Sequence, residues 1–271
     1  MQRDGNLWCE TGFAEAPATY KGATQTVRVL TEGWLAMWGF CPACGADRLP
    51  ALPNNSPVAD FRCAACGEEY ELKATRAALG RKVPDGAFGT LTARLAADNN
   101  PSLFVMRYDR AAGRVADLIV VPRHFFTPAI IEPRRPLGPT ARRAGWQGCN
   151  IMIGEVPAAG RIALVRAGAP VPRAEVCAAW RATAFMAETR GAARGWLLAV
   201  MQAVERVAPA PIAGAQSVEF TLEQVYAQEA ALAALYPGNH NVRPKIRQQL
   251  QVLRDRGWLA FTDRRGVYRR V

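Results

Sequence analysis

Apolar residues along this chain recur with two different periods, and the switches between them mark out its elements. Residues 27–38 read as an amphipathic helical segment, and 58–62 and 69–74 as short strands. Leu103 to Met106 and Leu118 to Val121 are unbroken apolar runs, which predict buried strands of the same sheet. A segment over 128–148 breaks the pattern. It holds Pro133, Pro136, Gly138, Pro139, Gly145 and Gly148, and reads as a flexible, Arg-rich loop. The strand pattern returns at Ile162 to Val165, followed by a predicted helix over 174–189 that stops at Gly191.

The last part of the chain reads differently. A helix over 196–207 and a Pro/Ala/Gly linker to Gly214 precede Thr221-Leu-Glu-Gln224, which opens a second helix with the spacing of a capping box. A third helix starts at Asn241, tolerates Pro244 in its first turn and runs to Gly257. Short strands over 258–261 and 267–270 follow. Three helices and a two-stranded wing predict a winged helix-turn-helix, with a domain boundary near 190–194. The expected division is 1–192 and 193–271.

Composition adds a partner class. Half of the 271 residues are hydrophobic, enough for one ordinary domain and a smaller companion. The formal charge of +11 points to a polyanion, although Arg-rich, Ala-rich composition alone produces such a value. Position decides: from Asn241 to Val271, nine Lys/Arg stand against two Asp. No apolar run approaches the roughly eighteen residues of a membrane span, and the first ten residues lack a secretory layout, so the expected location is the cytoplasm. Seven cysteines in a reducing compartment direct attention to metal binding.

Cys41-Pro-Ala-Cys44 and Cys63-Ala-Ala-Cys66 are two C-x-x-C knuckles, each followed by Gly. Four soft thiolates at this spacing suit a closed tetrahedral site for zinc, or iron, with a structural role; a redox pair is the other reading. Cys9, Cys149 and Cys177 read as single buried thiols, and His124 and His240 as structural.

Woven through the knuckles are Pro57-Val-Ala-Asp60 and Glu71-Leu72-Lys73. Phosphodiester hydrolysis needs carboxylates to hold a hard divalent cation and a lysine to stabilise hydroxide and developing charge. Strand alternation puts Glu71 and Lys73 on one face. If the flanking strands form a hairpin turning at 64–67, Asp60 lies across from Glu71, and zinc would fix the spacing of the carboxylates. Without that context the motif matches many proteins by accident, as solvated ion pairs.

The predicted third helix carries one apolar stripe, Val242, Ile246, Leu250 and Leu253. The rest of its surface offers Arg243, Lys245, Arg247, Gln248, Gln249, Gln251 and Arg254, residue types that contact phosphates, guanine and adenine. Arg264 and Arg265 fall on the wing. In the loop, Arg142, Arg143 and Trp146 are further candidates for DNA contact, Trp146 against a methyl group or as an ordinary anchor.

Taken in order, Leu30-Thr-Glu-Gly-Trp34, Cys41-Pro-Ala-Cys44-Gly45, Val58-Ala-Asp60-Phe61, Glu68-Glu-Tyr-Glu71-Leu-Lys73, Ala97-Asp-Asn-Asn-Pro101, Pro139-Thr-Ala-Arg-Arg-Ala-Gly-Trp146 and Lys245-Ile-Arg-Gln-Gln-Leu250 resemble the DpnI family of methyl-directed restriction endonucleases. The resemblance implies an α/β PD-(D/E)xK nuclease domain with structural zinc and a C-terminal winged helix. It implies magnesium-dependent, type II cleavage of double-stranded DNA at adenine-methylated GATC sites. Asp60, Glu71 and Lys73 match the catalytic positions, with the Leu72 backbone carbonyl as a further magnesium ligand. Here the aspartate follows Val-Ala rather than Pro57 directly. Segments near 5–17 and 208–214 look like insertions. No obligate protein partner is expected, and the chain reads as a monomer. Two other classes fit parts of the pattern: a zinc-containing winged-helix regulator, which has no use for the carboxylate set, and an RNA-processing nuclease, which a helix furnished for a major groove suits less well.

Overall fold

Tyr70 and Phe104 stack at 4.9 Å between ring centroids, both fully buried in one six-stranded sheet. The computed structural model describes residues 13, 22–53, 56, 59–209 and 218–271. Two units divide the chain, Met1–Gly154 with Ala159–Ala184, and Glu155–Ala158 with Phe185–Val271.

The first unit runs through α1 (Ala23–Trp38), β1 (Phe61–Arg62), β2 (Glu69–Thr75), β3 (Val83–Ala87), α2 (Phe88–Ala96), β4 (Ser102–Asp109), β5 (Arg114–Val121), β6 (Ile131–Pro133), β7 (Gly148–Ile151), β8 (Ile162–Arg166), β9 (Ala169–Pro170) and α3 (Arg173–Thr183). Its main sheet has the order β1-β2-β4-β5-β8-β9. Only the β2–β4 pair is parallel. A parallel pair cannot be closed by a tight turn, and β3 with α2 forms the crossover that separates these two strands in sequence. Trp34 and Leu35 of α1 and Val176 and Trp180 of α3 join Tyr70, Phe104, Met106, Leu118 and Leu164 in one core cluster. Cover of this kind explains why β4 carries an unbroken apolar run, Leu103 to Met106, instead of alternating.

A second, smaller sheet has the order β3-β7-β6. It corrects the reading of 128–148 as loop throughout, because Ile131–Pro133 pairs with β7 in spite of its proline. Pairing with distant partners supplied what local propensity did not. The helix expected over 174–189 is likewise shorter: it ends at Thr183, and a 3₁₀ segment, Ala184–Glu188, follows.

The second unit contains α4 (Gly191–Val207), β10 (Glu219–Thr221), α5 (Leu222–Tyr226), α6 (Glu229–Leu235), α7 (Val242–Asp255), β11 (Leu259–Phe261) and β12 (Val267–Arg270), with the strands ordered β10-β12-β11. The capping box forms at Thr221 and Gln224, each side chain bonding the other's backbone N–H. This is a helix-turn-helix with a wing, but among the described residues it has four helices and three strands where three and two were expected. β10 and α6 are the additions. Most of the expected linker lies outside the described residues. Among those described, no helix is long and apolar enough to cross a membrane.

Candidate active site and metal centre

Two knuckles with the same backbone build the cysteine site. In the first, the Gly45 amide donates to the Cys41 carbonyl at 2.7 Å and the Cys41 amide to the Ala46 carbonyl at 3.0 Å. In the second, Gly67 donates to Cys63 at 2.9 Å and Cys63 to Glu68 at 2.9 Å. Each turn closes through a left-handed residue, Gly45 at φ +80° and Gly67 at φ +77°, so the glycine that follows each pair is a conformational requirement. The four Sγ atoms of Cys41, Cys44, Cys63 and Cys66 lie within 4.8 Å of one another. That spacing and an all-sulfur donor set fit a tetrahedral zinc ion. Burial pushes the Cys41 thiol up. Cys63 is also desolvated, but the amides of Cys66 and Ala65 and the neighbouring thiols bring it down to about 7. Cys149 and Cys177 are buried and free, and Cys9 lies outside the described residues.

The second knuckle is the tip of a hairpin. β1 pairs antiparallel with β2 in the register Phe61↔Tyr70 and Arg62↔Glu69, which continued by one residue sets Asp60 opposite Glu71. The Asp60 amide donates to the Tyr70 carbonyl at 2.9 Å, and the Leu72 amide donates to Asp60 Oδ2 at 2.8 Å. This second bond fixes the carboxylate as well as the backbone. Pro57 and Val58 lie outside the described residues. Tyr70 ties the hairpin to the cysteines, its hydroxyl 3.1 Å from Cys41 Sγ.

Asp60, Glu71, Leu72 and Lys73 line one cleft of about 410 Å³ together with Val27, Arg28, Thr31 and Glu32 of α1. Lys73 Nζ lies 2.5 Å from Glu71 Oε1, as strand alternation requires of side chains two apart, and 2.7 Å from Asp85 Oδ1. Burial works against the Lys73 ammonium, yet the two carboxylates hold it above the ordinary lysine range. Glu71 is held above the usual carboxylate range by burial, against the pull of Lys73.

Two acidic groups here went unread in the sequence. Glu32 accepts a hydrogen bond from Arg28 Nε at 2.5 Å, and Arg28 also reaches Asp60 at 3.5 Å. The amphipathic pattern of α1 places Glu32 on a polar face without saying that the face lines a cleft. Asp85 carried no signal at all, because Pro84-Asp85-Gly86 has the composition of a turn. Its side chain is only 8% exposed. Glu32, Asp60, Glu71 and Asp85 thus face Arg28 and Lys73, an excess of two negative charges. Hard oxygen donors carrying that excess fit a magnesium ion, which prefers one or two carboxylates.

The candidate DNA-contacting residues fall at three places. Arg142 and Arg143 are exposed on the segment between β6 and β7, and Trp146 is half-buried, with the Arg143 guanidinium 4.9 Å from its ring centroid. The segment is no loose loop: Leu137 donates to Trp146 at 2.9 Å, Gly145 to Leu137 at 3.0 Å and Arg134 to Gly148 at 2.9 Å. On α7, Arg243, Arg247 and Gln248 are exposed and Lys245 is partly so, donating to Gln248 at 2.8 Å. Arg243 also pairs with Glu229 at 2.7 Å. Arg264 and Arg265 are exposed in the wing turn, Arg264 paired with Glu219. Gln249 requires a correction. It is buried with Val242, Ile246, Leu250 and Leu253, because at 100° per residue it falls about 20° from Val242 and about 40° from Leu253, at the edge of the inward stripe, and a buried amide there cannot read a base.

A family model described as DpnI, the Dam-replacing family, matches residues 13–189, and a second, described as the Dam-replacing HTH domain, matches residues 192–270.

Proposed function

We propose, from the premise that this chain belongs to the DpnI, Dam-replacing family, that it is a methyl-directed restriction endonuclease cutting double-stranded DNA at adenine-methylated GATC sites. The observation that carries the reading is the pairing of Asp60 with Glu71 across one hairpin, with Lys73 on the same face of the same cleft. A helix-turn-helix without chemistry has no need of that convergence. In this reading residues 1–192 form the nuclease domain and 193–271 the DNA-binding domain, and the protein works as a monomer in the cytoplasm.

Asp60, Glu71 and the Leu72 carbonyl would hold magnesium, which when bound polarises the scissile phosphate and makes water a stronger acid. The protein's own part is positional. The Leu72 amide holds Asp60 in one orientation, so the carboxylate does not have to be ordered when DNA arrives. An ammonium has three N–H donors, and Glu71 and Asp85 take two of those of Lys73. The third is available to stabilise negative charge on an attacking oxygen. Zinc in the cysteine site would set the hairpin's register. Arg142, Arg143, Arg243, Lys245, Arg247, Arg264 and Arg265 supply phosphate and base contacts, with Gln248 to read a base edge and Trp146 to meet a methyl group.

Purified protein with magnesium should cut a GATC-containing plasmid from an adenine-methylating host and leave the same plasmid from a non-methylating host intact. Equal digestion of both would remove methyl direction, and digestion of neither would remove the nuclease.

A further inference from the structure

We propose that Asp85 is the standing counter-ion of Lys73, a positioning residue that keeps the ammonium in place while Glu71 is committed to a divalent cation. The inference rests on the reading of the cleft as a cation-dependent nuclease site and adds a part that the E-x-K pattern does not contain.

Glu71 has two demands on it. It lies 2.5 Å from Lys73, and it is also a carboxylate that would bind the cation. A cation drawing on Glu71 weakens its attraction for the lysine, and a largely desolvated ammonium that loses its counter-charge must swing towards water or pull Glu71 back. Asp85 resolves the conflict from outside the main sheet. Its Oδ1 lies 2.7 Å from Lys73 Nζ, and it is absent from the lining of the cleft. Its backbone is firmly set. Asp85 pairs with Cys149 across the β3–β7 ladder, and a bulge follows at once, with Gly86 left out before Ala87 pairs with Gly148. Such a bulge is a means of aiming one side chain away from the regular pleat. The neighbouring Cys149 is buried, so water has little access from that side.

Asp85 therefore governs cation binding only through Lys73. With Asp85 removed, the whole charge of Lys73 falls on Glu71 and competes with the cation. Equilibrium Mn²⁺ binding, followed by electron paramagnetic resonance on the full-length, zinc-replete protein, separates the possibilities. Asp85→Asn should weaken Mn²⁺ binding on the order of tenfold in the presence of Lys73, and about twofold or less when Lys73→Met is also present. Asp85→Glu, which keeps the charge, should bind within about threefold of the unaltered protein. In cleavage assays Asp85→Asn should lower kcat while the KM for methylated DNA stays unchanged. Equal weakening with and without Lys73 would overturn the proposal, since Asp85 would then act on the cation directly. Weakening by Asp85→Glu as severe as by Asp85→Asn would also overturn it, by reducing the residue's role to local packing. Mn²⁺ binding that Asp60→Asn leaves unaltered would instead take away the cation site itself, and with it the nuclease reading.

Discussion

Asp60 accepts a hydrogen bond from the Leu72 amide and carries a negative charge, and the two properties can be separated. Asparagine can still accept that bond, so Asp60→Asn should leave thermal stability, and DNA binding measured without divalent cation, close to those of the unaltered protein, while cleavage falls by at least about a hundredfold. Alanine loses the bond as well, so Asp60→Ala should cost roughly 1 kcal/mol of stability in addition. Parallel melting, binding and plasmid-digestion measurements decide this; full digestion by Asp60→Asn would show that the carboxylate is not needed. At this scale the convergence of Asp60, Glu71 and Lys73 was legible because it is local, confined to two short runs of chain. Glu32 and Asp85 were not. One comes from a helix and the other from a second sheet, and only tertiary contacts bring the first to the cleft and the second to Lys73. Gln249 was misread for another reason: residue type was allowed to override the angle at which the helix presents it.

The hairpin and α7 show how far an element can be argued from its pattern. Knuckle, turn and strand register were readable together, since a hairpin turning at the second C-x-x-C pair sets the register by distance from that turn. Removing metal from the cysteine site should therefore loosen the hairpin before the rest of the sheet. Hydrogen exchange should speed up at the amides of Cys63, Asp60 and Leu72, and cleavage should be lost; a metal-free preparation with unchanged exchange and normal cutting would refute the link. On α7, Arg247→Ala should weaken DNA binding and reduce the salt dependence by about one unit of slope. Gln249→Leu should leave binding unchanged, because the amide it removes faces inward; a loss equal to that of Arg247→Ala would return Gln249 to the interface. β10 and α6 escaped the sequence because three residues of strand and a short Ala-rich helix have little period of their own. Their order comes from Tyr268 across the sheet and from Leu232 beneath.

For the molecule as a whole, the distribution of charge matters more than its total of +11. Basic side chains crowd α7, the wing and the segment between β6 and β7, whereas the cleft is acidic. DNA affinity should fall on the order of a thousandfold between 50 and 200 mM salt if six or more phosphates are contacted, a dependence that titration at several ionic strengths measures directly. A flat response would leave the basic surfaces without a role in binding. The surplus negative charge in and beside the cleft has a further consequence. If the cleft is the cation-dependent nuclease site proposed above, it would repel a phosphodiester when empty and attract it when loaded, so cation and duplex would each tighten the other's hold by the same factor. On that reading, scarce magnesium would leave the duplex weakly held as well as slowly cut.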